Sequence, residues 1–308
     1  YEKLSNWSSI KASADVQIFN QPLLGVALLE KIQDAHALVL MRDRTPLKAE
    51  LIAQLKHLEY VVFTGTRNLA LDTEALKQRS IPISHTEWGP SKESTTELTW
   101  TLILGIQKRL IEQNALLTQN GWRNQNSLLP ILHGQTLGLI GLGEIGSRVA
   151  KVAIAFGMKV LTWSPNMTAE RAVAQDAKSV SLEELLKTSK VVSLHLVAGP
   201  NTKGLIGTEE LAMMRPDALL VNTSRSALIN TQALRDALAA GRPGQAAIDV
   251  FDTEPLPAND ALRNTPNLLT TPHLGFVAEP VFAMFSKGIV DTLEAWIDQK
   301  PVPHPFEP

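Results

Sequence analysis

The sequence predicts an α/β protein built from two doubly wound parallel sheets. Three observations carry that reading. Short apolar runs alternate with helical patterns from one end of the chain to the other, the arrangement that builds a parallel sheet with helices on both faces. The 308 residues are too many for one ordinary core and suit two domains. A glycine-rich turn at 141–146 stands between a strand pattern and a helix pattern.

The elements follow in order. Val16–Phe19, Ala37–Met41, Val61–Thr64 and Ile81–Ser84 are short apolar runs bounded by turn or cap residues, and read as strands. Between them Pro22–Gln33 and Pro46–His57 carry apolar positions at helical spacing behind an opening proline, which suits a first helical turn. A long helix follows from about Thr95 to Thr118, with Ser94 and Glu97 spaced as a capping box. Its apolar residues cover more than one face, so it must be buried on several sides, either between the domains or against a second subunit. A second strand series comprises Thr136–Ile140, Lys159–Trp163, Val191–Leu196, Leu219–Asn222, Ala246–Val250 and Leu268–Thr271. The last helical pattern, from Val281 to about Asp298, has no strand after it and can return to the first sheet. The expected division is therefore 1–90 plus 281–308 as one domain and 91–280 as the other.

Composition narrows the function. Lys and Arg number 29 against 31 for Asp and Glu, a net charge of −2, so no basic excess exists to neutralise a nucleic-acid backbone. The longest apolar stretch, around Leu98–Ile106, is interrupted by threonine and falls far short of a membrane span. There is no cysteine, which removes disulfides and thiolate metal sites and suits a reducing compartment such as the cytoplasm. No signal-peptide pattern is visible, although the chain opens at Tyr1 rather than Met. The expected partner is a small molecule.

Gly141-Leu142-Gly143-Glu144-Ile145-Gly146 has the G-x-G-x-x-G spacing, behind a strand and ahead of a helix. In that context the first glycine allows the tight turn and the second admits a pyrophosphate. The third packs helix on strand, and the helix N-terminus offers free amides to the anion. An acid that binds the adenosine ribose is expected at the end of the next strand, but Ser164 stands there. Neither a carboxylate nor an adjacent cation is present, and the nearest cation is Arg171. The choice between NAD and NADP stays open, with weak discrimination expected.

Ligands in such sheets bind beyond the carboxyl ends of the strands. Arg225, Glu254 and His273 all follow strand ends on the edge that holds the glycine loop. Arg225 offers a rigid fork of donors for a carboxylate or carbonyl oxygen. His273 is a candidate general acid or base. Glu254 nearby would orient its ring and favour the imidazolium. Asp249 can also be read as satisfying only local backbone groups.

The glycine loop, Val221-Asn222-Thr223-Ser224-Arg225, Asp249-Val250-Phe251-Asp252-Thr253-Glu254-Pro255 and Thr271-Pro272-His273-Leu274-Gly275 together resemble the D-isomer-specific 2-hydroxyacid dehydrogenases. The block from Ser189 to Leu196, with His195, resembles a further stretch of that family. The resemblance implies a flavodoxin-like substrate domain and a Rossmann cofactor domain with a cleft between them. It implies NAD(P)-dependent hydride transfer between a D-2-hydroxy acid and its 2-keto acid, no metal, and a homodimer on the long helix. Arg225, Glu254 and His273 would be catalytic. Gly141, Gly143, Glu144, Ile145, Gly146, Ser164, Leu196, Thr223, Arg225, Asp249, His273 and Gly275 would hold the cofactor, with Asp249 near the nicotinamide carboxamide. The segment Thr64–Asn68 resembles the loop whose amides meet the substrate carboxylate, so Gly65, Thr66, Arg225 and His273 would bind substrate. It lacks the Gly-rich form of phosphoglycerate dehydrogenases. This chain departs from the family pattern at Ser226, Asn230, Val197 and Ser164, where glycine, aspartate, proline and an acid are usual. Alternative readings are a NAD(H)-sensing corepressor-like binding protein, a methyltransferase using the glycine loop, and formate or phosphite dehydrogenase within the family.

Overall fold

The structure, a computed structural model, describes residues 3–21, 23–123 and 128–307. The chain divides into two units, Tyr1–Ser91 with Val277–Pro308, and Lys92–Phe276.

The first unit is built on three parallel strands, β1 (Ala37–Leu40), β2 (Tyr60–Phe63) and β3 (Ile83–His85), in that spatial order. β2 is buried along its length, and its side chains alternate between two cores. Val61 and Phe63 join Leu28, Ile32, Leu47, Ile52 and Leu76 on one face. Tyr60 and Val62 join Trp7, Ile10, Ile289, Val290 and Leu293 on the other. The C-terminal helix Glu279–Ile297, with Pro280 in its first turn, thus returns to the N-terminal sheet. The tail continues beside β3: the His85 amide donates to His304 and the Phe306 amide to Ile83, which covers an open sheet edge.

Three expectations for this unit need correction. Val16–Phe19 is not a strand; Ile18 and Phe19 are exposed and, among the described residues, no strand pairs with the run, so its apolar character alone does not make it one. The helix expected over Pro46–His57 is reduced to Ala49–Ile52, because Leu47 instead exchanges backbone hydrogen bonds with Ala70 and Asp72 in a bridge to Leu71. The helix expected from Pro22 begins at Gly25; Pro22 lies outside the described residues.

The second unit holds β4 (Thr136–Ile140), β5 (Lys159–Trp163), β6 (Lys178–Ser179), β7 (Val191–Leu194), β8 (Leu219–Asn222), β9 (Gln245–Ile248) and β10 (Leu268–Thr270). They form one parallel sheet in the order β10-β9-β8-β7-β4-β5-β6. The order reverses beside β4, the strand that carries the glycine loop, and such a switch point is where an open sheet binds its ligand. Leu137, Leu139, Val191, Leu219 and Val221 face the helices Ser91–Gln107 and Glu144–Ala155. Ile140, Val192, Leu194, Leu220 and Ile248 face the helices Leu182–Thr188, Thr208–Met213 and Thr231–Ala239. The two-residue strand β6 has no counterpart in the sequence reading.

The long helix expected from Thr95 to Thr118 is two helices. Ser91–Gln107 begins earlier than expected, so Ser94 lies inside it rather than capping it. Arg109 then adopts a left-handed conformation (φ 50°) and Leu110–Thr118 starts afresh. The first helix buries Trp100, Leu102, Ile103 and Ile106 in the core of its own unit. The second buries none of its residues. Among the described residues no helix is long and apolar enough to cross a membrane.

Candidate active site

The three glycines of the loop after β4 are required for different reasons. Gly141 has φ 102°, a conformation that side chains rarely adopt, and a Cβ there would come within 2.8 Å of the His195 carbonyl. A Cβ on Gly146 would collide with the carbonyl oxygen of Gly141, so this glycine lets helix Glu144–Ala155 lie on the strand. Gly143 has an ordinary φ of −81° and open space where a Cβ would stand. Folding alone does not demand glycine at that position, whereas close approach of a pyrophosphate does. The residues therefore fit a dinucleotide. The Gly141 amide donates to the Trp163 carbonyl (2.9 Å), which ties the loop to the end of β5 beside Ser164.

Glu144, at the start of the glycine helix, is ion-paired with Lys92 and lies 3.7 Å from Arg148, whose guanidinium also meets Glu93 at 2.9 Å. The Lys92 hydrogen bond holds the Glu144 carboxyl below the ordinary range. Ile145 is half-buried and packs against the core.

The loop after β8 is organised from within. The Asn222 side chain donates to the Arg225 carbonyl (2.9 Å) and accepts from the Ser224 amide (3.0 Å), while the Ser224 hydroxyl donates to the Leu196 carbonyl (2.6 Å). Arg225 enters in an extended conformation and donates from Nη1 to the Ser224 carbonyl. The departures from the family pattern cost little here. Ser226 opens a short 3₁₀ turn, and Asn230 caps the next helix by accepting from the Ala233 amide (3.0 Å). Val197 is exposed.

Asp249, fully buried just past β9, has both carboxylate oxygens engaged. Oδ1 accepts from the Thr271 hydroxyl (2.6 Å) and the Leu274 amide (2.7 Å), and Oδ2 from the Gly275 amide (2.9 Å). Burial pushes this carboxyl up, against the pull of those three donors. Asp249 thus anchors the loop that carries His273, a contact the spacing did not foretell.

His273 and Glu254 meet. Glu254 Oε2 lies 2.6 Å from His273 Nδ1, and its Oε1 accepts from the Phe251 amide at 2.9 Å. Burial raises the Glu254 carboxyl, but the His273 bond and charge, the Phe251 amide and the Arg225 charge outweigh it and leave it below its ordinary value. An ionised carboxylate can only accept, so Nδ1 carries the hydrogen of that bond and Nε2 remains for a reacting group. His273 is held in the left-handed region (φ 54°), with Phe276 edge-on at 5.5 Å. A non-glycine residue in that region costs about 1–3 kcal/mol and persists where its surroundings over-determine it.

Two residues escaped the sequence reading. The Thr95 hydroxyl donates to the Gly275 carbonyl (2.9 Å), and Thr99 Oγ1 meets Thr223 Oγ1 at 2.8 Å. Helix Ser91–Gln107 therefore fastens both the His273 loop and the β8 loop. The available signal was the pair of hydroxyls at i, i+4 within an apolar helix.

In the N-terminal unit, Gly65 follows β2 with φ 79°, and the Trp88 indole lies against it where a Cβ would stand, 2.7 Å away. Trp88 Nε1 donates to Thr66 Oγ1 (2.8 Å), and the Arg42 guanidinium stacks 4.2 Å over the ring. The Gly65 amide donates to Thr86 Oγ1 (3.0 Å), so it is engaged within the unit.

A sequence profile of the D-isomer specific 2-hydroxyacid dehydrogenase NAD-binding domain matches residues 100–275. The chain belongs to the D-isomer specific 2-hydroxyacid dehydrogenase family. It is 34% identical over 300 residues to a glyoxylate reductase of Aeropyrum pernix, covering 94% of this chain and 89% of that one. It is 35% identical over 253 residues to a D-3-phosphoglycerate dehydrogenase of Methanocaldococcus jannaschii, covering 82% of this chain and 48% of that longer relative. Among solved structures, a candidate D-3-phosphoglycerate dehydrogenase from Ralstonia solanacearum superposes with a TM-score of 0.89 at 32% identity, covering 97% of this chain and 92% of that one. The chain is therefore an NAD(P)-dependent 2-hydroxyacid dehydrogenase, an oxidoreductase acting on the CH–OH group of a 2-hydroxy acid. The corepressor-like and methyltransferase readings give way to it.

Proposed function

We propose that this dehydrogenase interconverts a small 2-keto acid of the glyoxylate class with its 2-hydroxy acid, using Arg225, Glu254 and His273. The observation that carries the proposal is the 2.6 Å bond from Glu254 to His273 Nδ1, which leaves Nε2 to exchange a proton. Support for a small substrate comes from the match over 89% of the glyoxylate reductase and from the Trp88 indole packed on Gly65 and Thr66. In this reading the N-terminal unit binds substrate through the Thr64–Asn68 loop. The Gly65 amide being engaged, the carboxylate falls to the amides of Thr66, Arg67 and Asn68.

The dinucleotide's diphosphate would rest on Gly141, Gly143 and Gly146, its ribose beside Ser164 and its nicotinamide half along Leu196, Thr223 and Gly275. When bound, its nicotinamide supplies or accepts the hydride. His273 gives the proton from Nε2 to the carbonyl oxygen during reduction and takes it back during oxidation. Glu254 fixes the ring and stabilises the imidazolium. Arg225 binds the carboxylate or the carbonyl oxygen and stabilises charge developing there. Asp249 holds the Leu274 and Gly275 amides, beside the place the nicotinamide carboxamide would take.

The proposal includes a homodimer in the cytoplasm, where nicotinamide cofactors are available. Leu110, Ile111 and Leu117 are 63%, 64% and 54% exposed on a helix with no fully buried residue, and a second copy would cover them. The test of substrate is NADH and NADPH oxidation against glyoxylate, pyruvate, hydroxypyruvate, phosphohydroxypyruvate and bulkier branched keto acids. Highest kcat/KM for glyoxylate or hydroxypyruvate is expected. A higher value for phosphohydroxypyruvate would reassign the substrate, and turnover of none would remove the catalytic reading.

A further inference from the structure

We infer that Thr95 is a positioning residue for His273: through the Gly275 carbonyl it fixes the backbone, and with it the Phe276 ring, that hold the imidazole in place. The inference rests on His273 as the acid of the proposed reaction and adds to it a residue from outside the strand-end loops. Asp249 grips the His273 loop at the Thr271 hydroxyl (2.6 Å) and at the Leu274 and Gly275 amides (2.7 and 2.9 Å). Every one of those contacts uses a donor of the loop. A carbonyl of the loop can be held only by a donor from elsewhere.

Thr95 is such a donor. Its hydroxyl, on helix Ser91–Gln107, donates to the Gly275 carbonyl at 2.9 Å, and both residues are buried. A Cβ on Gly275 would stand 3.3 Å from both Asp249 Oδ2 and Thr95 Oγ1, so the glycine fills a slot between its two partners. The peptide that Thr95 holds is the one joining Gly275 to Phe276, and the Phe276 and His273 rings meet edge-on with centroids 5.5 Å apart. The imidazole therefore has two supports, the Glu254 carboxylate at Nδ1 and the Phe276 ring, and Thr95 governs the second. Its backbone, at φ 54°, is in a conformation that persists only where the surroundings over-determine it. Thr95 is itself firmly placed. Thr99 donates to its backbone carbonyl at 2.8 Å and meets Thr223 Oγ1 at 2.8 Å, and Trp100, Ile103 and Ile106 anchor the same helix in the core. Proton transfer depends on such support, since misplacing a reacting group by about 1 Å costs up to about 10²-fold in rate.

The test is Thr95→Val in the whole protein, which keeps the shape of the side chain and removes the hydroxyl, alongside Thr95→Ser, Thr101→Val and His273→Ala. Thr101 is exposed on the same helix and its hydroxyl donates to the Glu97 carbonyl (2.8 Å), so its valine variant repeats the substitution away from the loop. NADH sites are counted by fluorescence titration, and reduction of the keto acid that the wild type turns over fastest is measured per bound NADH. Loss of folded protein then does not register as loss of rate. Thr95→Val is expected to lower kcat per site by about 10- to 100-fold, with NADH affinity changed less than about twofold. Thr95→Ser should keep kcat within about threefold of the wild type, and Thr101→Val should leave it unchanged. Wild-type kcat in Thr95→Val beside a slow His273→Ala overturns the inference alone. Wild-type kcat in His273→Ala strikes the reading of His273 as the acid, and the inference with it. A loss that Thr95→Ser fails to restore, or that Thr101→Val matches, makes the effect one of helix packing and also overturns the inference. So does a loss that vanishes when rates are counted per bound NADH.

Discussion

Glu254 Oε2 stands 2.6 Å from His273 Nδ1, across 19 residues of sequence, and its other oxygen is fixed by the Phe251 amide. The pair is thus set by the backbone of one loop and the strained backbone of another. Glu254→Gln keeps a hydrogen-bond acceptor but loses the charge, so the imidazolium is stabilised less. Steady-state kinetics should show kcat for keto-acid reduction lower by about 10- to 100-fold, less than the roughly 10²–10⁴-fold that the general acid itself supplies. Unchanged kcat would make the pair structural. The sign of its stability effect follows from the same contact. The folded carboxyl titrates below its ordinary value of 4.5, so its contribution is present above that value and is lost as pH falls through the lower one. Glu254→Gln should remove that acid-side loss in thermal melts.

The glycine loop separates folding from binding. Gly146→Ala forces a methyl group against the Gly141 carbonyl oxygen and should cost about 1–3 kcal/mol, read as a drop of several degrees in Tm. Gly143→Ala meets open space and should leave Tm unchanged. Its effect should appear in fluorescence titration with NADH, as affinity weakened by about tenfold or more, the equivalent of ~1.4 kcal/mol. Normal affinity in Gly143→Ala would mean that the dinucleotide does not pass over this residue.

His195 follows β7 against the glycine loop, with Nε2 at 2.9 Å from Ser193 Oγ. Burial lowers its pKa from 6.5 to about 4, so it folds neutral. Between those values the unfolded chain binds a proton that the folded chain does not, and stability must fall as pH drops from 6.5 towards 4. The loss should be on the order of 1–3 kcal/mol for a shift of this size. Thermal melts across that window should slope downward for the wild type and less so for His195→Gln. Equal slopes would mean that His195 is protonated in the folded state.

Helix Leu110–Thr118 should carry the dimer contact. Light scattering at micromolar concentration is expected to give twice the chain mass for the wild type and the chain mass for Leu110→Asp combined with Ile111→Asp. A wild-type monomer would leave these apolar side chains without a covering partner.

What could be read from the sequence was what acts locally. G-x-G-x-x-G between a strand and a helix carries its own stereochemistry, and the seven-stranded sheet places it at the reversal of strand order. Arg225, Glu254 and His273 each follow a strand, and a parallel sheet brings all strand ends to one edge. The parts that were not legible depend on tertiary partners. Nothing near Asp249 in sequence says that its acceptors serve Leu274 and Gly275, and nothing beside Thr95 and Thr99 names Gly275 and Thr223 as their counterparts. Val16–Phe19 had strand composition but no strand to pair with. The apolar pattern across Thr95–Thr118 is continuous in sequence, whereas the chain breaks at Arg109 and sends its two halves to different surroundings.

The central claim is that His273 Nε2 moves the proton in a dehydrogenase reaction, and His273→Ala tests it most directly. Kinetics of glyoxylate reduction should be measured together with dinucleotide affinity in the same protein. A kcat lowered by about 10²–10⁴-fold is expected, with cofactor affinity changed less than about twofold. A variant that keeps more than about half of wild-type kcat would remove His273 from the chemistry and contradict the account.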